Sequence, residues 1–161
     1  MPELKKLAIR VGEALQRRGW TVATAESCTG GWIAKCITDI AGSSAWFDRG
    51  FVTYSNTAKR EMLGVDAAML EAEGAVSEAT VAAMARGTLD HCQADIAVAV
   101  SGIAGPDGGR PDKPVGTVCF AWATRDGLQR VATVHFEGDR ETVRQQAVAR
   151  ALEGLLDAGN A

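Results

Sequence analysis

The sequence predicts a single layered α/β domain over residues 1–161, built around a mixed sheet. Three observations carry that prediction. Helical and strand-like periodicities alternate along most of the chain. The run Ala94-Asp95-Ile96-Ala97-Val98-Ala99-Val100 is nearly continuously apolar, as in a strand covered by helices on both faces. Two late strand-like segments flank Arg125-Asp126-Gly127, the spacing and Asp-Gly pair of an antiparallel hairpin. The 161 residues suffice for one substantial core, and no linker, internal repeat or low-complexity segment divides them.

The elements follow in the order α-β-α-β-α-α-β-β-β-α. Leu4, Leu7, Ala8, Val11 and Leu15 share one face of a first helix, which Gly19 stops after Arg17-Arg18. Trp20-Thr21-Val22-Ala23-Thr24 reads as a short strand, rich in β-branched residues. Helical spacing returns at Trp32, Ile33, Cys36, Ile37 and Ile40. A strand spans Trp46 to Tyr54 with Phe51 and Val52 at its centre, and a short helix from about Thr57 to Leu63 ends at Gly64. Ser77-Glu78 caps a longer helix through Val81, Met84, Ala85 and Leu89 to about His91. After the buried strand at 94–100, strands at 115–123 and 128–136 form the hairpin. A last helix runs from near Asp139 to about Leu156, with Val143, Ala147, Ala151 and Leu155 facing the core.

Composition narrows the function classes. A net charge of -3, with no basic stripe interleaved with aromatics, argues against a dedicated nucleic-acid binder. Nothing approaches a membrane span, and Met1-Pro2-Glu3-Leu4-Lys5-Lys6 lacks the apolar core of a signal peptide. The expectation is a cytoplasmic protein with neither a membrane nor a nucleic-acid partner. Cys28, Cys36, Cys92 and Cys119 form no CxxC pair and read as reduced thiols. Two distant histidines and scattered carboxylates give no metal-ligand spacing, and no cofactor is expected.

The chemistry concentrates at Ala25-Glu26-Ser27-Cys28-Thr29-Gly30-Gly31, a strand-to-helix turn at the carboxyl end of a strand, where open α/β sheets place ligands. Ser27 near a helix N-terminus is a candidate nucleophile, with neighbouring amides to receive an oxyanion. The plain alternative is that Ser27 or Thr29 is only an N-cap. Cys28 is a rival nucleophile, because a thiol at a helix N-terminus has a depressed pKa.

A base is needed. His91, at a helix end, suits a carbonyl-satisfying role, and His135 falls inside a strand, so a Ser-His-Asp triad lacks support. Tyr54 and Lys59 can meet Ser27 at one sheet edge if the two strands run parallel, and a desolvated lysine has a lowered pKa. The loop Ser101-Gly102-Ile103-Ala104-Gly105-Pro106-Asp107-Gly108-Gly109 can bring amides to a ligand, or its glycines can simply make turns. Arg140 and Arg144, four apart on the last helix, form a fork suited to phosphate or carboxylate, with ion pairs to Glu141 or Asp139 as the ordinary alternative.

Five segments in order resemble the CinA C-terminal domain family, the nicotinamide-nucleotide amidases. They are the turn 25–31, Val52-Thr53-Tyr54-Ser55-Asn56 with Lys59, Ser101 to Pro106, Lys113-Pro114-Val115-Gly116-Thr117-Val118, and Gly138-Asp139-Arg140. The resemblance spans about residues 5 to 157 and is to the stand-alone form, without the larger N-terminal domain that some relatives carry. It implies a single three-layer α/β/α domain with a mixed, mostly parallel sheet, and hydrolysis of nicotinamide mononucleotide to nicotinate mononucleotide and ammonia, in pyridine-nucleotide salvage. Under that reading Ser27 attacks, Tyr54 and Lys59 relay protons, and Glu26, Thr29, Gly30, Gly31, Gly102, Gly105, Arg140 and Arg144 contact substrate. Two competing expectations stand beside it: a non-catalytic nucleotide-binding module linked to competence or DNA damage, and an amidase for another small amide such as nicotinamide. A homo-oligomer is compatible with either.

Overall fold

The computed structural model describes residues 2–161. The chain runs α1 (Pro2–Arg18), β1 (Val22–Glu26), α2 (Trp32–Thr38), β2 (Phe47–Val52), α3 (Asn56–Leu63), α4 (Ala67–Glu73), α5 (Glu78–Asp90), β3 (Ile96–Gly102), β4 (Thr117–Thr124), β5 (Gln129–His135) and α6 (Arg140–Gly159). This is the predicted order with one addition. Helix α4 carries a single buried residue, Leu70, so it leaves no periodic apolar face to read. A short 3-10 turn at Ser43–Ala45 precedes β2.

Strand β1 starts two residues later than predicted because Trp20 belongs to the end of α1. Gly19, at φ 68°, lets its own N–H reach Gln16 O and the Trp20 N–H reach Leu15 O, at 3.0 and 2.9 Å. That pairing is a Schellman closure, which glycine in the left-handed region makes without strain.

The strand order is β2-β1-β3-β4-β5. β1 is parallel to both β2 and β3, whereas β4 is antiparallel to β3 and to β5. Four strands therefore point one way and β4 alone is reversed, which is the predicted mixed, mostly parallel sheet. Helices α1, α2 and α6 cover one face; α3, α4 and α5 cover the other. No described helix is long and apolar enough to cross a membrane.

The two faces are packed differently. Ile96, Val98, Val100, Phe120 and Trp122 project toward α1 and α6, while Ala97, Ala99, Ala121 and Ala123 project toward α5. Trp122 lies over Gly154 of α6, where an added β-carbon would sit 2.0 Å from the indole ring, and its Nε1 donates to Ala151 O at 3.0 Å.

The register positions the site. Glu26 pairs with Val52 on one side and Val100 on the other, so the chain leaves β1, β2 and β3 at one common edge. The neighbours of β1 lie on opposite sides of it, reached by crossovers over opposite faces. Its carboxyl end is therefore a topological switch point, where ligands enter such sheets.

Candidate active site

Ser27 follows β1 directly and is tied to β3 by its amide, which donates to Val100 O at 3.0 Å. It is buried, at 7 % exposure. Helix α3 brings its partner: Ser55 caps the helix by accepting from Ala58 N at 3.0 Å, and the first turn directs Lys59 inward. Lys59 Nζ donates to Ser27 Oγ at 3.1 Å, to Thr53 O at 3.1 Å and to Tyr54 O at 3.4 Å. Ser27 Oγ in turn donates to Tyr54 O at 3.3 Å.

Lys59 is only 1 % exposed, and among the described residues no carboxylate pairs with it. A buried ammonium without a counter-ion is disfavoured, so burial pushes the Lys59 pKa below its ordinary 10.5. The two main-chain carbonyls accept two N–H bonds. In the neutral amine the remaining position, facing Ser27, holds the lone pair.

Tyr54 stands differently from expectation. Its phenol accepts from Arg140 Nη2 at 3.3 Å and its ring is largely exposed. The group that meets Ser27 and Lys59 is its backbone carbonyl. Neither histidine reaches the serine: His91 Nδ1 bonds Gly87 O at the end of α5, and His135 Nδ1 bonds Thr117 Oγ1 on the sheet.

Cys28 also departs from expectation. Its thiol is pushed up to about 12, chiefly by burial, rather than acidified by a helix N-terminus. Helix α2 begins only at Trp32, and its first amides already have a carboxylate. Glu26, buried at 1 % exposure, accepts from Thr29 Oγ1, Gly31 N, Ile33 N and Ala34 N at 2.6–3.2 Å. Glu26 is thus a cap for α2 and a brace for the turn, and Thr29 spends its hydroxyl on it.

Gly30 and Gly31 adopt φ 58° and 102°, which glycine alone takes readily. The Gly30 amide donates to Ser27 O at 3.1 Å and the Gly31 amide to Glu26. Both amides are therefore committed within the turn. Among the described residues, the turn amides with no acceptor are those of Cys28 and Thr29.

The two arginines do not form one fork. Arg140 Nη1 donates to Gly105 O at 2.8 Å and Nη2 to the Tyr54 phenol. Arg144 Nε donates to Cys28 O at 3.0 Å and Nη2 to Thr29 O at 3.2 Å. Gly102 and Gly105 are required by packing: a β-carbon at either would lie 2.6–2.7 Å from Val118 or Val115.

A cavity of about 240 Å³ opens onto Ser27 and Lys59, with Arg140 at its wall beside Asn56 and Ser101. Ala75 and Val76, between α4 and α5, also line it. Sequence reasoning missed these residues. Ser101 lay within a segment already singled out, but Ala75-Val76 carries no chemical signal at all. A larger groove, about 850 Å³, lies against Trp32 and Arg144 and is lined by neither Ser27 nor Lys59.

The CinA C-terminal domain profile matches residues 4–158. The nicotinamide-nucleotide amidohydrolase PncC of Escherichia coli strain K12 is 61% identical over 153 residues, covering 95% of this chain and 93% of that protein. The protein of the same name from Enterobacter agglomerans is 60% identical with the same coverage. Among solved structures, the competence/damage inducible protein CihA from Agrobacterium tumefaciens superposes with a TM-score of 0.95. It is 48% identical, over 99% of this chain and 96% of that one.

Proposed function

The chain belongs to the CinA C-terminal domain family, and from that premise we propose that it is a nicotinamide-nucleotide amidohydrolase, releasing ammonia from nicotinamide mononucleotide by means of a serine nucleophile. Relatives of 60–61% identity over nearly the full length bear the name of that activity. The observation that carries the serine assignment is the buried contact of Lys59 Nζ with Ser27 Oγ at 3.1 Å.

The reaction proceeds in two halves. Neutral Lys59 takes the Ser27 hydroxyl proton as Oγ attacks the carboxamide carbon. The tetrahedral intermediate collapses as Lys59 gives that proton to the departing nitrogen, so ammonia leaves and an acyl-serine remains. Water, deprotonated by the same lysine, then attacks the acyl carbon and frees Ser27 and the nicotinate carboxylate. Tyr54 takes no proton in this scheme; its carbonyl orients the pair and its phenol steadies Arg140. Arg140, at the cavity wall with N–H groups to spare beyond its two bonds, is the anchor for the substrate phosphate. The site is expected to work in the cytoplasm, on a free nucleotide.

Incubation with nicotinamide mononucleotide and, separately, with nicotinamide, followed by an ammonia assay, tests the reading. Ammonia is expected from the nucleotide, and Ser27→Ala should cut its release at least about 10⁴-fold. Near-normal turnover by that variant overturns the serine assignment. A nucleotide that binds but returns unchanged points to a non-catalytic module, and preference for nicotinamide to a different amidase.

A further inference from the structure

The peptide units after Ser27 have their carbonyls held by hydrogen bonds, among them Trp32 N to Thr29 O at 3.0 Å. Gly30 N donates to Ser27 O, and Arg144 donates from Nε to Cys28 O and from Nη2 to Thr29 O. A trans peptide is planar, with its C=O and N–H directed oppositely. Engaging Ser27 O and Cys28 O therefore turns the N–H groups of Cys28 and Thr29 to the other side. Those are the turn amides with no acceptor among the described residues, while Gly31, Ile33 and Ala34 are bonded to Glu26. The Cys28 thiol, which burial keeps protonated, adds no competing charge beside them.

We infer that Arg144 is a positioning residue for catalysis: its hold on Cys28 O turns the Thr29 amide, and its hold on Thr29 O sets the Gly30 amide that fastens Ser27 O and so turns the Cys28 amide, until both amides face the carboxamide oxygen of the substrate. The inference rests on the reading of Ser27 as nucleophile. Two carbonyls on successive residues need two N–H groups at a set spacing. The planar guanidinium supplies them, whereas a lysine ammonium on a flexible stem does not. Helix α6 carries Arg144 one turn inside its N-terminus, and the guanidinium carbon sits 5.4 Å from the Trp32 ring centroid, so it is steadied from both helices. Arg144 lines the groove against Trp32 rather than the cavity that opens onto Ser27, which separates its role from that of Arg140.

The test compares full-length wild type with Arg144→Ala and Arg144→Lys, measuring ammonia release from nicotinamide mononucleotide and from its phosphate-free riboside. Arg144→Ala should lower kcat about 10²-fold on both substrates, with KM for the nucleotide within about threefold of wild type. Arg144→Lys should lose about tenfold in kcat, and neither variant should alter the shape of the pH profile. Guanidinium ion added to Arg144→Ala should restore part of kcat, which a merely structural loss does not permit. A raised KM confined to the phosphorylated substrate, with kcat intact, overturns the inference. If Arg144→Ala does not fold, Arg144→Lys decides alone: reduced kcat at unchanged KM supports the clamp, and undiminished kcat refutes it. An inactive wild type or an active Ser27→Ala overturns the Ser27 reading and the clamp with it. An active wild type with undiminished kcat in Arg144→Ala overturns the clamp alone.

Discussion

Replacing Glu26 by glutamine removes one oxygen and one charge while keeping the side chain's shape. Oε1 accepts from Thr29 Oγ1 at 2.6 Å, Ile33 N at 2.9 Å and Gly31 N at 3.2 Å, and Oε2 accepts from Ala34 N at 3.0 Å. The glutamine oxygen will take the Oε1 place, where three donors converge, which sets its NH₂ against the Ala34 N–H. One bond to a charged acceptor is lost, a backbone donor loses its partner, and three bonds lose their charge assistance. A hydrogen bond to a charged group contributes about 1.5–3 kcal/mol, so Glu26→Gln should cost about 3 kcal/mol. In a domain of this size that lowers Tm by about 6–12 °C, readable by circular dichroism at neutral pH. The turn bearing Ser27 loosens too, so kcat should fall. A Tm within about 2 °C of wild type would refute the capping account. An unchanged Tm with a raised KM would return Glu26 to the substrate.

Two further expectations concern protons. Lys59 titrates below 10.5 in the folded protein and near it when unfolded, so between those values the unfolded chain binds more protons. Its penalty on folding is full below the lowered pKa and fades as pH rises toward 10.5. Lys59→Met should abolish ammonia release yet raise Tm, with a gain that grows as pH is lowered from alkaline values; a gain independent of pH sinks this argument. The wild-type kcat/KM should rise with pH as Lys59 becomes neutral. Cys28, with its thiol pushed up to about 12 and buried, should resist alkylation by iodoacetamide at pH 8 until the protein is denatured. Rapid labelling of Cys28 in the native protein, seen by peptide mapping, contradicts the burial argument.

Much of this molecule was legible in the residues. The alternation of periods gave the layers, the continuous apolar run marked β3, and Asp126-Gly127 marked the β4–β5 hairpin. Side chains that meet other side chains were partly readable: the motifs brought Tyr54 and Lys59 to Ser27 together, and of the two side chains it is Lys59, 32 positions on, that reaches Ser27 Oγ. What stayed hidden were partners in the main chain. Nothing in the letters of Thr53 and Tyr54 says that their carbonyls hold Lys59, nor does Arg144 announce that it serves the carbonyls of Cys28 and Thr29. The capping role of Glu26 is hidden for the same reason, since three of its four donors are backbone amides. Helix α4 escaped because a seven-residue helix burying one side chain has no stripe.

The two acceptors that fasten Lys59 belong to the backbone, and no exchange of side chain at 53 or 54 removes them. The placement of the Lys59 amine is consequently inherited with the path of the chain, whereas Tyr54, Asn56 and Arg140 at the mouth can drift residue by residue. Descendants of this fold can reshape the mouth of the cavity while the contact of Lys59 with Ser27 stays as it is.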